Sequence, residues 1–205
     1  KSDKIPDEVS AGLCTVAIRF PSHPAAKALI DAAGIPLAAP SANLSGHPSP
    51  TTAEHVLNDL DGKIGAVVDG GPCGVGVEST VITLASKPPR LLRPGGITLE
   101  QLRRVLGTVE MDSAVLNPLQ EGVRASSPGM KYKHYSPKAN VIIIDGSFDA
   151  YKNYVNGHRG DGVAALCYNG EAEALTVPTV CYGGEDNYSE QARELFDALR
   201  RLDEI

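Results

Sequence analysis

Apolar and polar residues along the first half of the chain follow two different periods, and their alternation predicts an α/β core. Short apolar runs rich in β-branched residues predict strands at Thr15–Phe20, Ile35–Ala39, Ile64–Val68, Val81–Leu84 and Arg90–Arg93. Between these runs, apolar residues recur at helical spacing in segments that begin at Pro24, after Thr51 or Thr52, and at Thr98. Strands and helices therefore alternate, as in an α/β domain.

Local signals define some of these elements more closely. Gly34 is expected to end the helix that begins at Pro24, because glycine readily adopts the left-handed conformation of a helix C-cap. The turn Lys87-Pro88-Pro89 separates the last two predicted strands and indicates a hairpin. Thr98 with Gln101 three residues later predicts a capping box.

The periodicity fails between Glu110 and Pro137, where Asn-Pro, Ser-Pro-Gly and Ser-Pro pairs interrupt the chain. We predict an interdomain linker there, with one domain at 1–109 and a second, small one at 138–205. The end of the linker, residues 130–135, is basic and aromatic, which favours a segment that folds over a ligand rather than a simple tether.

The segment after the linker again combines strand and helix patterns. Apolar runs predict strands at Asn140–Gly146 and Gly162–Tyr168, and helical spacing predicts helices at Phe148–Asn156 and Ser189–Leu202. This order predicts a small parallel sheet.

A glycine-dense loop, Gly70–Thr80, leads directly into the strand at Val81. Its four glycines permit positive φ values that can turn consecutive amides toward one point, which indicates a site for phosphate or carboxylate. A Walker-type P-loop is excluded, because the loop joins two predicted strands and lacks the Gly-Lys-Ser/Thr sequence. A long hairpin loop that uses glycine only for its turns remains the alternative.

Composition narrows the class of protein. The chain has 205 residues, 42% of them hydrophobic, which is enough for a real core in one large or two small domains. A net charge of -6 does not suggest a nucleic-acid or membrane binder, and no run approaches the ~18 apolar residues of a membrane span. Four scattered cysteines without a Cys-x-x-Cys pair favour reduced thiols and a cytoplasmic protein. The chain opens without methionine and stops inside a helical pattern, so we expect a fragment.

Four motifs, in this order, resemble the threonylcarbamoyl-AMP synthase family in its two-domain form. They are Ala39–Gly46, Glu78–Ile82, Leu92–Gly96 and Ser127–Pro137. The resemblance implies a YrdC-like, twisted, open mixed sheet with helices, joined by a linker to a small Rossmann-like parallel α/β domain. It also implies that the family's amino-terminal segment, which carries a Lys-x-Arg nucleotide site, has no counterpart here, so this fragment alone is expected to be inactive.

The resemblance further implies an activity. L-threonine, bicarbonate and ATP give L-threonylcarbamoyl-AMP and pyrophosphate, for the N6-threonylcarbamoyladenosine modification of tRNA. Mg2+ is expected to accompany ATP, although no metal ligand can be named. Other implied partners are the tRNA threonylcarbamoyl-transfer machinery downstream and, in addition, RNA.

The resemblance also assigns the binding residues. Three of them match threonine-binding positions, namely Arg19, Ser41 and Ser79. Five match nucleotide-binding positions, namely Thr15, Asn43, Thr51, Arg93 and Tyr135. Guanidinium and hydroxyl groups suit a carboxylate, and Tyr135 would belong to a lid over the nucleotide.

Each of these residues also has a purely structural interpretation. Arg19 could form a surface ion pair, Asn43 could satisfy its own turn, and Thr51 could simply cap a helix. Two other functions stay open at this point. A non-catalytic module of this type could bind double-stranded RNA, with strong salt dependence, and a related domain adenylates carbamate during hydrogenase maturation.

Overall fold

The computed structural model describes residues 3, 5–10, 12–116 and 138–205. Helices and strands are short and alternate along the chain. In chain order they are α1 (Asp7–Ser10), α2 (Pro24–Ala33), α3 (Ala53–Leu60), β1 (Val81–Thr83), β2 (Arg90–Arg93), α4 (Leu99–Leu106), β3 (Glu110–Met111), α5 (Ser113–Leu116), α6 (Phe148–Gly157), β4 (Ala165–Cys167), a 3-10 turn (Ala172–Ala174), β5 (Thr179–Cys181) and α7 (Tyr188–Leu202).

The chain divides into two compact units that do not follow its linear order. Among the described residues, the first unit comprises those up to 41 together with 80–116, and the second comprises 42–79 together with 138–205. Asn43 and residues 70–79 of the glycine loop therefore share a unit with the carboxyl-terminal residues. The expected domain boundary at 109 stays a prediction.

The first unit contains a three-stranded sheet in the order β1-β2-β3. β1 and β2 form the predicted antiparallel hairpin, and β3 adds to β2 in parallel orientation. Leu91 and Leu92 of β2 are buried together with Val109, which precedes β3. β3 and α5 occupy the first residues of the predicted linker, so the chain stays ordered beyond Glu110. Residues 117–137, the rest of that linker, lie outside the described part of the chain.

The local helix signals are confirmed. α2 begins with Pro24 and ends at Gly34, whose φ of 64° is left-handed. The Thr98 side chain accepts from the Gln101 amide while the Gln101 side chain accepts from the Thr98 amide, which completes the capping box at α4. These signals succeed because each depends only on neighbours along the chain.

Four predicted strands are wrong, namely Thr15–Phe20, Ile35–Ala39, Ile64–Val68 and Asn140–Gly146. They are irregular chain, and several of their apolar side chains are exposed, with Ile18 86%, Phe20 87% and Ile143 87% accessible. A strand is completed by hydrogen bonds to a neighbour, and among the described residues the ladders involve only β1 to β5. Apolar composition alone was therefore insufficient.

The second unit has its core around the parallel pair of strands β4 and β5, which confirms the predicted small parallel sheet. Buried side chains of α6, β4 and the 3-10 turn region form this core: Val155, Ala165, Cys167 and Leu175. Cys167 and Cys181 face each other across the two strands with their sulfurs 3.7 Å apart. α7 packs on both strands and contributes the buried Phe196.

Candidate functional site

The loop that begins at Asn43 is closed by its own side chain. The Asn43 amide Nδ2 donates to the carbonyl of Leu44 at 2.8 Å and to that of His47 at 3.0 Å. The Asn43 Oδ1 atom is buried and accepts no hydrogen bond from the described residues. A buried acceptor without a donor is uncommon in native structures and is a place where a ligand's donor can bind after a small shift. The structural interpretation of Asn43 is thus correct for one end of the amide only.

Asp59 of α3 and Arg200 of α7 form a buried ion pair beside this loop. Arg200 Nη2 lies 2.7 Å from Asp59 Oδ2, and the two side chains are 10% and 6% exposed. A second guanidinium nitrogen, Nη1, donates to Asp59 Oδ1 at 3.3 Å, so the contact is two-pronged. Arg200 Nε and Nη2 also donate to the carbonyl of the buried Pro48, at 3.1 and 2.6 Å.

The charge state of Asp59 follows from its surroundings. Burial by itself would raise the pKa of this carboxyl. Hydrogen bonds and charge from Arg200, with further hydrogen bonds from the Leu44 amide and His47, outweigh burial and hold the pKa below its ordinary value of 3.8. Asp59 is therefore ionised at neutral pH, and its carboxylate anchors Leu44 through the 3.2 Å bond to the amide nitrogen.

Thr51 lies in a buried cluster rather than at the helix cap. The cap of α3 is Thr52, whose side chain accepts from the His55 amide. Thr51 is buried, its amide donates to His55 Nδ1 at 3.2 Å, and its hydroxyl lies 3.3 Å from the same nitrogen. His55 Nε2 lies 3.4 Å from Asp197 of α7. Since Nδ1 accepts a backbone hydrogen bond, the proton of the neutral imidazole belongs on Nε2, toward Asp197.

The glycine loop serves close packing in this structure. Gly76 donates its amide to the carbonyl of Ala192 in α7 at 2.8 Å. A Cβ atom at Gly76 would lie 1.9 Å from the carbonyl oxygen of Arg193, so only glycine fits. Cys73 donates to the Thr51 carbonyl, and Gly71 donates to the Asp69 carboxylate, both at 2.8 Å.

The anion-site interpretation of this loop stays a prediction, although the structure gives some of its glycines and amides other roles. Of the four glycines, only Gly71 has a positive φ, of 83°. Three of the loop amides, those of Gly71, Cys73 and Gly76, donate to three different protein acceptors, as described above. The loop uses glycine for a turn at Gly71 and for a close approach to α7 at Gly76.

The predicted binding residues divide between the two units. Thr15, Arg19, Ser41 and Arg93 lie in the first unit, and Asn43, Thr51 and Ser79 lie in the second. Within the second unit the Asn43–Thr51 segment and the glycine loop are joined, because Ser49 donates to the carboxylate of Glu78 at 2.5 Å and Cys73 donates to Thr51. Ser79 directly follows Glu78, so this unit brings its three predicted residues onto two connected loops.

The predicted residues of the first unit come from different segments. Thr15 and Arg19 lie on exposed irregular chain, Ser41 is exposed before the Asn43 loop, and Arg93 is the last residue of β2, opposite Val81 of β1. Tyr135 lies outside the described residues. The binding roles of all eight residues stay predictions.

The described residues contain neither a metal-binding cluster nor a membrane-spanning helix. Within residues 3, 5–10, 12–116 and 138–205, no group of three or more His, Cys, Asp or Glu side chains could hold a metal ion. Two acidic residues at the glycine loop, Asp69 and Glu78, accept hydrogen bonds from Gly71 and Ser49. Among the same residues no helix is both long and apolar enough to cross a membrane.

The sequence interpretation missed Asp59, Arg200 and the role of Gly76. A signal for Arg200 was present, since it follows Phe196 by four residues and thus continues the apolar face of α7. A charged residue on an apolar helix face indicates a buried partner. Nothing in the sequence identified that partner as Asp59.

The titration of His55 gives a prediction about pH. Burial lowers the pKa of this imidazole from 6.5, and the charge of Arg200 lowers it further, while Asp197, Glu204 and Glu54 act in the opposite direction. The unfolded chain therefore binds a proton at His55 more readily than the native state does. The contribution of neutral His55 to the free energy of unfolding is fully present above pH 6.5 and is lost as the pH falls through the lower native pKa.

We expect the free energy of unfolding in urea to decrease from pH 7.5 to pH 5.5, before Asp59 protonates. The His55→Gln variant should show a flatter dependence over this range, whereas a His158→Gln control, at the half-buried C-cap of α6, should keep the original slope. Equal slopes for all three proteins would contradict the assignment.

Two protein-family models together match all but one residue of the chain. The Sua5/YciO/YrdC model, described as telomere recombination, matches residues 1–95. The model described as the C-terminal domain of threonylcarbamoyl-AMP synthase matches residues 97–205.

Curated proteins named threonylcarbamoyl-AMP synthase are similar to this chain over its full length. Threonylcarbamoyl-AMP synthase of Bacillus subtilis (strain 168) is 47% identical over 207 residues, which is 100% of this chain and 59% of the relative. The Pyrococcus abyssi protein of that name is 42% identical over 209 residues, covering 99% of this chain and 59% of the relative. The chain thus spans about three fifths of the length of these relatives.

Two solved structures share the fold. The crystal structure of P. abyssi Sua5 complexed with L-threonine has a TM-score of 0.85 and 40% identity, and covers 100% of this chain and 60% of that one. A variant of the same protein gives a TM-score of 0.87 at 39% identity, with 99% and 58% covered. The resemblance stated from the four motifs is confirmed: the chain belongs to the threonylcarbamoyl-AMP synthase family, in its form with a Sua5/YrdC domain followed by the family's C-terminal domain.

Proposed function

We propose that the complete protein synthesises L-threonylcarbamoyl-AMP from L-threonine, bicarbonate and ATP. The observation that carries this proposal is the match of the whole chain to P. abyssi Sua5, which was crystallised with L-threonine. The names of the curated relatives support a synthase over the non-catalytic RNA-binding module. A C-terminal domain of the synthase family also separates the chain from the carbamoyl-transfer alternative.

The proposed chemistry needs no covalent enzyme intermediate. The threonine amine and bicarbonate combine with loss of water to give a carbamate. A carbamate oxygen then attacks the α-phosphorus of ATP, and pyrophosphate leaves with the electrons of the broken P–O bond. The protein must hold the two substrates in line and balance their negative charges, and positioning alone can lower such a barrier by about 7–11 kcal/mol.

Threonine binding is assigned to Arg19, Ser41 and Ser79. The Arg19 side chain is exposed, and its planar guanidinium can hold the threonine carboxylate with two parallel hydrogen bonds. The two serines are also exposed, so their hydroxyls are accessible to the polar groups of an amino acid.

Nucleotide binding is assigned to Thr15, Asn43, Thr51, Arg93 and Tyr135. Asn43 has the clearest physical support, because its buried Oδ1 can accept a hydrogen bond from a ribose hydroxyl or a base amine. Arg93 supplies a positive charge for phosphate. The same role for Thr51 requires its buried hydroxyl to leave His55.

Mg2+ is proposed to enter with ATP, held mainly by phosphates and water, since no carboxylate cluster is present among the described residues. The carbamoyl adenylate is an activated acyl donor, so a tRNA threonylcarbamoyl-transfer step is proposed to consume it in the cytoplasm. Any direct contact with RNA is expected to weaken strongly with added salt.

The proposal is tested by incubating the complete protein with ATP, Mg2+, bicarbonate and labelled threonine. We expect pyrophosphate release that depends on threonine, together with a labelled adenylate. Absence of threonine-dependent release, combined with salt-sensitive binding of double-stranded RNA, would reject the synthase and favour the RNA-binding module.

The Arg19→Ala variant tests the threonine site specifically. Loss of a charged, two-pronged hydrogen bond costs roughly 1.5–3 kcal/mol, so the KM for threonine should rise about 10- to 100-fold while the KM for ATP changes less than about threefold. Arg104→Ala, at an exposed position of α4 in the same unit, is the matched control and should leave both constants unchanged. An equal rise in both constants for Arg19→Ala would contradict a role on the carboxylate.

A further inference from the structure

The last helix of the chain contacts two loops that carry residues assigned to substrate binding, Asn43 for the nucleotide and Ser79 for threonine. α7 lies in the region matched by the C-terminal family model, and the Asn43 and glycine loops lie in the region matched by the Sua5/YrdC model. All three belong to the same compact unit of the structure. The contact therefore joins parts of two family domains within one unit.

Arg200 of α7 holds both ends of the Asn43 loop. It donates to the carbonyl of Pro48 at the carboxyl end, at 3.1 and 2.6 Å. At the amino end it acts through Asp59, whose Oδ2 accepts both from Arg200 at 2.7 Å and from the Leu44 amide at 3.2 Å. The distance between Leu44 and Pro48 is thus fixed by one buried guanidinium.

The loop's interior hydrogen bonds depend on that closure. Asn43 Nδ2 reaches the carbonyls of Leu44 and His47, so the direction of its side chain depends on the two backbone groups lying close together. His47 is also held, since its Nδ1 lies 3.4 Å from Asp59 Oδ1. If the loop opened, the Asn43 amide would lose one or both acceptors, and its Oδ1 would turn with it.

The same helix holds the second loop at its other end. Gly76 binds the Ala192 carbonyl and lies against the Arg193 backbone, two turns before Arg200. The two loops contact each other directly through Ser49 and Glu78. α7 therefore forms hydrogen bonds with both loops, through Arg200 at one end and Ala192 at the other.

We propose that α7 is a positioning helix for the nucleotide loop and that Arg200 is its positioning residue, which sets the orientation of Asn43. This inference rests on the proposed function, because it assigns Asn43 to ATP. Arginine is required, since one planar group must serve the Pro48 carbonyl and both Asp59 oxygens at once. Lysine carries its three donors on one nitrogen, which cannot occupy the separate positions of Nε, Nη1 and Nη2.

Hydrogen exchange tests the positioning without any catalytic readout. In the complete protein, Arg200→Met should accelerate amide exchange at residues 43–49 at least tenfold, while exchange at β4 and β5 changes less than about threefold. The matched control is Arg201→Met, whose exposed side chain forms a 3.8 Å pair with Asp197, and it should leave loop exchange unchanged. Equal acceleration at the loop and at β4 and β5 would mean general unfolding and would overturn the proposal.

Kinetics test the consequence for ATP. At a temperature where every variant is folded, Arg200→Met should raise the KM for ATP about tenfold or more and leave the KM for threonine within about twofold. Arg200→Lys should restore thermal stability in part but not the KM for ATP, and recovery of both would contradict the need for a guanidinium. Unchanged KM values in a destabilised Arg200→Met protein would overturn the proposal.

The two proposals can fail separately. A wild-type protein without threonine-dependent pyrophosphate release would reject the synthase, and the exchange experiment would still decide whether Arg200 orders the Asn43 loop. Normal synthase activity with unaltered loop exchange in Arg200→Met would reject the positioning role alone.

Discussion

The Gly76→Ala variant is expected to melt roughly 6–12 °C below the wild-type protein, the penalty of a backbone collision in the second unit. The added Cβ would lie 1.9 Å from the Arg193 carbonyl oxygen and 2.8 Å from its carbon, and a backbone atom cannot rotate away as a side chain can. Separating the loop from α7 also loses the hydrogen bond from Gly76 to Ala192. Overpacking and the lost bond together cost about 3 kcal/mol, which corresponds to that change in Tm for a chain of this size.

Gly74→Ala is the matched control, because it lies in the same loop with no atom within 4 Å of its added Cβ and without a positive φ. We expect its Tm to stay within about 2 °C of the wild-type value. Thermal unfolding followed by circular dichroism measures both variants. If Gly76→Ala and Gly74→Ala melted together, the close approach between the glycine loop and α7 would be absent in solution.

The Asp59→Ala variant is expected to lose about 3–5 kcal/mol of unfolding free energy. Removing the carboxylate leaves the buried Arg200 guanidinium without its counter-ion, and an unpaired buried charge costs far more than a surface pair gains. The same change frees the Leu44 amide and removes an acceptor near His47. Urea unfolding at pH 7.5, where Asp59 is ionised, measures the loss.

Two further variants separate the charge effect from damage to the helix. Asn58→Ala, an exposed neighbour on α3, should stay within about 0.5 kcal/mol of the wild type. The double variant Asp59→Leu with Arg200→Met removes both charges and should be more stable than Asp59→Ala alone. If the loss of unfolding free energy in the double variant equalled the sum of the losses in the Asp59→Leu and Arg200→Met single variants, the coupling of these side chains would be contradicted.

The family is indicated by sequence motifs, whereas the contacts of Gly76 and Asp59 are visible only in the structure. Four short motifs in order were enough to indicate the family, and the two family models confirm it. The motifs assign Asn43 to a ligand, which stays a proposal. The structure shows that Nδ2 closes the loop and that Oδ1 is buried without a donor from the described residues. The glycine loop was interpreted from its composition as an anion site, and only the structure shows that Gly76 is required for close packing against α7.

Strand prediction failed where apolar composition was the only argument. Ile142 and Ile143 read as the centre of a buried strand, yet both are exposed on irregular chain. β5 (Thr179–Cys181) was missed because three residues after Pro178 carry almost no periodicity, although they pair with β4 in full register. Strand formation depends on a partner elsewhere in the chain, and sequence patterns of a single segment do not contain that partner.

The amino-acid sequence by itself determined the features that depend on near neighbours. The Pro24 start and Gly34 end of α2, the Thr98 capping box and the hairpin around Pro88 each involve residues a few positions apart, so their energetics are contained in the local sequence.

Tertiary structure alone decided which face of α3 is buried. Leu57 is 45% exposed while the polar residues His55 and Asp59 are buried, against the order that hydrophobicity predicts. The physical reason is a partner 141 positions away: the Arg200 guanidinium makes burial of a carboxylate favourable, and no pattern within α3 carries that information.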